Sequence, residues 1–332
     1  MAEKTIVKEE VVDIFNPVVT KIAKGLQSKI ICVYGTNNVG KTKVGVSLSK
    51  PIVLPFESGL NALETTMVPI RQWQDFRKYN KQLCTKKARE LYDTVVFDSI
   101  DAASIMCQNY LCTTNGVRTI GEGNDGYGLW KEYETEFWEQ INALTSMGYT
   151  CYFIGHASVG KEGYISPKGD KRALDPIINL CDIVCYLQSN GVDEEGRVIR
   201  SSAYLAQTAE FFARSRFDYI DTFIPEFTAA NLEKAVIEAI ERQEKAEGTK
   251  AVSFEEQQKA YQIDRMTYKE LMDELQIYGN KMAEADQIGT LTRIVEKELG
   301  KGAKVTECVE GQEEAMSVIL DNIKDKCNEL GL

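Results

Sequence analysis

The sequence lacks the features of a membrane or secreted protein. No run approaches the roughly 18 consecutive apolar residues that a membrane-spanning helix needs, so we expect no membrane span. Residues 1–10 are charged and lack the apolar segment of a signal peptide. We therefore expect a cytoplasmic protein with no membrane partner.

Zinc-binding patterns are also missing. The nine cysteines form no C-x-x-C pair, and His156 is the only histidine. Structural zinc sites are built from closely spaced Cys and His ligands, so these cysteines are better interpreted as reduced, buried, small apolar side chains.

The net charge of −11 is distributed unevenly. Residues 226–332 hold 14 basic and 23 acidic side chains, whereas residues 1–225 hold 25 and 27. This acidity argues against a protein that coats nucleic acids generally, but it leaves room for a local basic groove.

The strongest motif is G-x-x-x-x-G-K-T, which runs from Gly35 to Thr42 after a short apolar strand and before a helix. The loop consists of Gly35, Thr36, Asn37, Asn38, Val39, Gly40, Lys41 and Thr42. Glycines let the backbone approach a phosphate closely, the lysine reaches the β- and γ-oxygens, and the threonine hydroxyl ligates Mg²⁺. A glycine-rich turn that binds nothing is the alternative, but the flanking strand and helix argue against it. The motif predicts ATP and Mg²⁺ as ligands.

Two carboxylates follow short apolar strands. Asp98 ends the strand that begins at Thr94, as in the Walker B pattern, and we expect it to bind Mg²⁺. Asp101 is a weaker second candidate, because an aspartate at this position could as easily start the next helix. Glu57 follows the strand Ile52–Leu54, which we expect to lie beside the P-loop strand. There Glu57 can orient or deprotonate a water molecule, although a capping or solvated glutamate is the alternative.

Three further side chains are candidates for nucleotide sensing. His156 follows the apolar strand Tyr149–Ile154, where a polar group can sense a γ-phosphate; a structural histidine is the alternative. Arg214 and Arg216 share one face of a later strand and are interpreted either as fingers for a neighbouring subunit's ATP or as surface arginines.

Two segments are predicted to be loops. Thr113–Gly128 is rich in glycine and contains Arg118. Val159–Arg172 combines basic charge with one aromatic side chain, a composition that suits contact with single-stranded DNA but also a solvated surface. The residues of interest in the second loop are Lys161, Tyr164, Lys168, Lys171 and Arg172.

Across residues 28–245 the order of these motifs resembles the RecA-like ATPases, most closely the phage and prophage RecA-core proteins of single-strand annealing and recombination. Gly35–Thr42 matches Walker A, and Val95–Ser99 matches Walker B. Val53–Leu60 is similar to the stretch that contains the catalytic glutamate, which falls on Glu57. Phe153–His156 falls on the sensor strand, with His156 where RecA has glutamine.

The resemblance implies an α/β RecA-like P-loop NTPase core, with a central, mostly parallel β-sheet flanked by helices. It also implies hydrolysis of ATP with Mg²⁺, self-association as a ring or filament, and single-stranded DNA as a partner. Thr113–Gly128 and Ser158–Arg172 fall at the positions of the two DNA loops of RecA, and Arg214 and Arg216 at those of trans-acting cations. The location would be the host cytoplasm for a phage-encoded protein.

We expect three regions: an N-terminal arm (1–28), the ATPase core (29–247) and an acidic helical module (251–332) that recruits a recombination or replication protein or regulates DNA access. Thr267-x-x-Glu270 predicts a capping box in the last region. Two other functions stay open: a nucleotide-gated scaffold with little hydrolysis and no DNA role, and, less favoured, a small-molecule kinase.

Overall fold

The computed structural model describes residue 15 and residues 17–259 and 266–332. Contacts divide the described residues into two compact units, one formed by residues 20–257 and the other by residues 258–259 and 266–332 together with residues 15 and 17–19. Within the described ranges, no helix is both long enough and apolar enough to cross a membrane.

Nine strands in the described part of the core unit form one sheet. They are β1 (Ile30–Gly35), β2 (Pro51–Pro55), β3 (Thr94–Asp98), β4 (Thr150–Val159), β5 (Ile165–Pro167), β6 (Ile183–Gln188), β7 (Ser202–Tyr204), β8 (Arg214–Ser215) and β9 (Phe223–Ile224). Their order is β2-β3-β4-β1-β6-β7-β9, while β5 pairs with β4 and β8 pairs with β6. The first five strands of this order are parallel, and the others pair in the antiparallel sense.

Among the described residues of the core, six helices lie between these strands along the chain, and two more follow the last strand. They are α1 (Lys41–Gly45), α2 (Trp73–Leu83), α3 (Lys86–Leu91), α4 (Ile100–Thr114), α5 (Trp130–Thr145), α6 (Lys171–Leu180), α7 (Ala229–Glu247) and α8 (Phe254–Lys259). Short 3₁₀ turns lie at Ile120–Glu122 and Asn124–Gly126.

Helices cover the buried strands on both faces, because alternate side chains of each strand point in opposite directions. On one face, Phe97 and Phe153 belong to a cluster with Trp73 and Phe137 of the helices. On the other face, Val96, Val33 and Ile154 pack in a second cluster that includes Leu232 and Val236 of α7. The mixed α/β fold with a mostly parallel central sheet, predicted from the sequence, is confirmed.

Several local predictions differ from the structure. Val159–Arg172 is not an irregular loop, because β4 continues to Val159 and turns back into β5 before α6 begins at Lys171. The core also includes residues 20–28 and 251–257, which the prediction assigned to the arm and the C-terminal module. A reason is visible at Ala23, which forms a parallel bridge with Val252.

The C-terminal unit contains three described α-helices: α9 (Tyr268–Glu284), α10 (Ile288–Leu299) and α11 (Glu313–Leu330). The predicted capping box is present, since Thr267 and Glu270 each accept a bond from the other's backbone. Leu271 and Leu275 pack with Ile319 and other apolar side chains in a separate core.

Candidate functional site

The phosphate-binding loop connects the central strand β1 to α1, and both of its glycines are required by geometry. Gly40 has φ of 87°, in the left-handed region that strains other residues. A Cβ atom on Gly35 would lie only 2.8 Å from the carbonyl oxygen of Leu187 on the neighbouring strand. The loop therefore has the tight, side-chain-free backbone that close approach to a phosphate needs.

Lys41 is held inside this loop. Its ammonium group donates hydrogen bonds to the carbonyl oxygens of Gly35 at 3.0 Å and Thr36 at 2.7 Å. Burial lowers the pKa of Lys41, whereas the nearby carboxylates of Asp98 and Glu57 oppose that shift. The cation is thus kept at the loop in a place where an anionic ligand can replace the two weaker carbonyl acceptors.

Thr42 and Asp98 meet at the adjoining strand end. The Thr42 hydroxyl donates to Oδ2 of Asp98 at 2.7 Å, and burial raises the pKa of the Asp98 carboxyl. Next to them lies the buried side chain of Ser99, whose hydroxyl is close enough to the Glu57 carboxyl to lower its pKa but makes no hydrogen bond of ordinary length with another described residue. Hard oxygen donors such as the Thr42 hydroxyl and the Asp98 carboxylate suit Mg²⁺. The residues present therefore fit Mg²⁺.

Glu57 reaches the same edge from β2. The prediction that β2 lies beside the P-loop strand was wrong, because β3 and β4 separate β2 from β1. The preceding residue, Phe56, fixes the turn: its N–H donates to the Asp98 carbonyl at 2.6 Å, and its ring packs 4.3 Å from Phe97. The Glu57 side chain stays 38% exposed, and partial burial raises its pKa while His156 opposes the rise.

His156 lies on β4, directly opposite Gly35 in the β1–β4 ladder. Its Nδ1 atom is 3.0 Å from Oδ1 and 3.1 Å from Oδ2 of Asp101, in the first turn of α4. Its Nε2 atom is 3.6 Å from Oε1 of Glu57. No local pattern predicted this contact between His156 and Asp101, although both residues were expected to follow strands whose carboxyl ends meet at one edge of the sheet.

Arg214 and Arg216 lie at the opposite edge. Both guanidinium groups donate to the Asn179 carbonyl, at 3.1 and 2.6 Å, and Arg216 also lies 3.5 Å from Oδ1 of Asp182, which precedes β6. They are therefore engaged within their own chain, at the amino ends of the parallel strands. Action on a neighbouring subunit's nucleotide stays a prediction and would require these bonds to break.

The predicted DNA-contacting residues are distributed over three places. Lys161, Tyr164 and Lys168 belong to the β4–β5 hairpin or its ends, whereas Lys171 and Arg172 form the first turn of α6. The Arg172 guanidinium stacks 4.5 Å from the Trp130 ring centre, which brings the start of α5 close to α6.

The remaining candidate, Arg118, is apart from that group in sequence. It follows α4, and its guanidinium group pairs with Glu122 at 3.4 Å. Its side chain remains 88% exposed, so this pair leaves most of the guanidinium surface open to solvent.

A cavity of about 720 Å³ opens beside the loop, next to residues 198–201 and 227–230. Gly40, Lys43 and Ser47 line one wall, and the segment Val198–Ser201 lines another. Val198 and Ile199 are 74% and 41% exposed, which is unusual for two adjacent large apolar residues next to a polar loop. The cavity can hold a group with apolar faces that is joined to the phosphates.

Comparison with known proteins agrees with this arrangement. The family described as AAA domain matches residues 27–217, which is more than half of the chain. A similar protein is the SPbeta prophage-derived uncharacterized protein YorG of Bacillus subtilis (strain 168), which is 54% identical over 317 residues. That similarity covers 95% of this chain and 98% of the relative, so it extends beyond the matched domain.

Proposed function

The chain belongs to the AAA domain family of P-loop proteins, and on this premise we propose that it binds and hydrolyses ATP. The observation that carries the proposal is the convergence of Lys41, the Thr42–Asp98 pair and Glu57 at one edge of the sheet. A loop for phosphate, oxygen ligands for a divalent cation and a carboxylate for water are the parts that phosphoryl transfer requires.

In the proposed reaction, Glu57 accepts a proton from water as the water oxygen bonds to the γ-phosphorus. The bond between that phosphorus and the β,γ-bridging oxygen breaks, and ADP leaves with the electron pair. Lys41 moves from its carbonyl acceptors to the phosphate oxygens and offsets their charge. Thr42 and Asp98 would hold Mg²⁺, which neutralises phosphate charge when bound. The adenosine fits the cavity beside Val198 and Ile199.

Magnesium titration tests the proposal through Asp98→Asn. We expect the Mg²⁺ concentration for half-maximal phosphate release to rise about tenfold or more, because a neutral amide is a weaker ligand than a carboxylate. Asp93→Asn is the matched control, since Asp93 pairs with Lys50 outside the site. Equal Mg²⁺ dependence of the wild type and Asp98→Asn would remove Asp98 from the metal site.

We further propose that single-stranded DNA is the partner and that the protein acts as an oligomer in recombination, in the cytoplasm of a bacterial host. The support is a group of four basic side chains, Lys161 and Lys168 of the β4–β5 hairpin and Lys171 and Arg172 at the start of α6, against two acidic ones, Glu162 and Asp170. The hairpin continues the strand that carries His156. The name of the relative, which describes a prophage-derived protein, supports a phage role.

The corresponding experiment measures ATP hydrolysis with and without a single-stranded oligonucleotide. Stimulation of several-fold is expected, because the hairpin is continuous with β4, which carries His156 beside Glu57. Tight ATP binding with no DNA effect would instead favour the nucleotide-gated scaffold. The net charge of −11 is consistent with that alternative, because an acidic protein repels nucleic acid.

A further inference from the structure

Asp101 and His156 form a partly buried pair at the catalytic edge, the carboxyl-terminal edge of the sheet where Lys41, Asp98 and Glu57 lie. Only 12% of the Asp101 side chain and 24% of the His156 side chain are exposed. Nδ1 of His156 is within hydrogen-bond distance of both carboxylate oxygens. An ionised carboxylate only accepts hydrogen bonds, so this contact places a proton on Nδ1. In the neutral ring, Nε2 then carries a lone pair and faces Glu57.

Backbone pairing also fixes the position of His156. His156 and Gly35 are ladder partners, so the ring is set at the first residue of the phosphate loop. Tyr34, which precedes Gly35, donates from its hydroxyl to the carbonyl of Ile165 at 3.3 Å and to that of Phe212. The start of β5 is therefore tied to the P-loop strand.

Lys168 connects the same pair to the hairpin. Its N–H donates to the carbonyl of His156 at 2.8 Å, and its ammonium group lies 3.8 Å from Oδ2 of Asp101. The side chain is 61% exposed, so this ion pair is weak and open to competition from an external anion. While Lys168 stays there, its positive charge offsets part of the carboxylate charge that faces His156.

We propose that Asp101 is the positioning residue for His156, and that Lys168 makes this positioning depend on a DNA phosphate bound at the hairpin. A phosphodiester draws Lys168 away from Asp101. The full carboxylate charge then acts on Nδ1–H, and the ring is held with Nε2 towards Glu57 and the reacting water. This inference rests on the proposed ATP hydrolysis and adds its regulation by the partner.

The single histidine provides a direct readout. In tag-free protein labelled with ¹⁵N-histidine, every imidazole signal belongs to His156. At about pH 8, where an ordinary imidazole is neutral, we expect the Nδ1–H form in the wild type and a mixture of tautomers in Asp101→Ala. Adding a dT oligonucleotide should shift the wild-type signals and leave those of Lys168→Met unchanged. An identical tautomer in the wild type and Asp101→Ala would overturn the role of Asp101.

Kinetics supply the second readout. Asp101→Ala should lower kcat for ATP by about 10- to 100-fold with little change in KM, because misplacement of a reacting group acts on the chemical step. Asp101→Asn retains an acceptor oxygen and should recover part of the rate. Loss of rate through KM alone would contradict a positioning role.

Lys168→Met should raise the rate without DNA and reduce the stimulation by the dT oligonucleotide several-fold. Lys131→Met, which removes an exposed lysine of α5 paired with Glu134, should leave the stimulation unchanged. Equal stimulation in the wild type and Lys168→Met, or no stimulation in the wild type, would overturn the link while leaving hydrolysis intact. If the wild type hydrolyses no ATP, the proposed function fails, and the imidazole spectra still decide whether Asp101 and Lys168 govern His156.

Discussion

Replacement of Lys41 by alanine is expected to lower ATP hydrolysis at least about 100- to 1000-fold, which in practice abolishes it, because it removes a preorganised cation from the phosphates. Lys41 is 7% exposed and its ammonium group donates to two loop carbonyls, so the cation already lies at the loop where we expect the charge of the transferred phosphoryl group to develop. Phosphate release at saturating ATP and Mg²⁺ measures the loss.

The control for Lys41→Ala is Lys86→Ala, which removes an exposed lysine of α3 and should leave the rate unchanged. Thermal unfolding of both variants separates a lost cation from a damaged fold. A folded Lys41→Ala protein with half or more of the wild-type rate would refute the assignment of the P-loop as the catalytic nucleotide site.

Glu57→Gln is expected to retain ATP binding and to lose turnover by about 10²- to 10⁴-fold, the contribution of a positioned general base. Glutamine has nearly the same shape as glutamate and can still orient water, but it cannot accept the proton. Because Phe56 anchors the turn on Asp98 and Phe97, the substitution should leave the local backbone in place. Binding of a fluorescent ATP analogue and single-turnover hydrolysis measure the two properties separately.

The pKa shift adds a pH dependence to this prediction. Partial burial raises the pKa of Glu57, so the carboxylate that accepts the proton is lost, as pH falls, at a higher pH than in an exposed glutamate. The acid limb of the wild-type rate profile should reflect this and be absent from the residual activity of Glu57→Gln. Glu64→Gln, which changes an exposed carboxylate, is the matched control. Full turnover in Glu57→Gln would end its assignment as the base.

Local patterns were sufficient to locate the loop and the strand from which the candidate site is built. The Gly35–Thr42 loop and the apolar strand before Asp98 are contiguous in sequence, so spacing and burial define them without knowledge of the sheet. The bond between Thr42 and Asp98 joins residues 56 positions apart, yet it follows from placing both at the carboxyl ends of parallel strands.

What the sequence could not provide is the order of the strands and the contacts that depend on it. Parallel strands are connected by crossovers, so neighbours in sequence need not be neighbours in the sheet. This is why β2 was expected beside β1, although two strands intervene. The pairing of His156 with Asp101 likewise depends on how α4 packs near β4, and no local pattern encodes it.

The β4–β5 hairpin shows a second limit of prediction from sequence, because local composition did not indicate its strand pairing. Residues 159–172 contain glycine, proline and charged side chains, which favour a loop by composition. Ladder pairing of Ser158 with Ser166 and of Val159 with Ile165 overrides this local preference. Similarly, the prediction that Arg214 and Arg216 share one strand face was wrong in part, because β8 ends at Ser215 and leaves Arg216 outside the strand. Their carbonyl partners near the end of α6 come from a helix that the sequence analysis did not predict.

The central position of β1 has a consequence for the lifetime of the protein in a cell. This strand is paired on both sides, so the phosphate loop cannot separate from the sheet without breaking the ladders to β4 and β6. A ligand that binds only the folded state at about 100 times its Kd adds roughly 2.7 kcal/mol of stability. Because β1 is embedded in the sheet, we expect the proposed binding of nucleotide to stabilise the entire core unit and to slow its proteolysis.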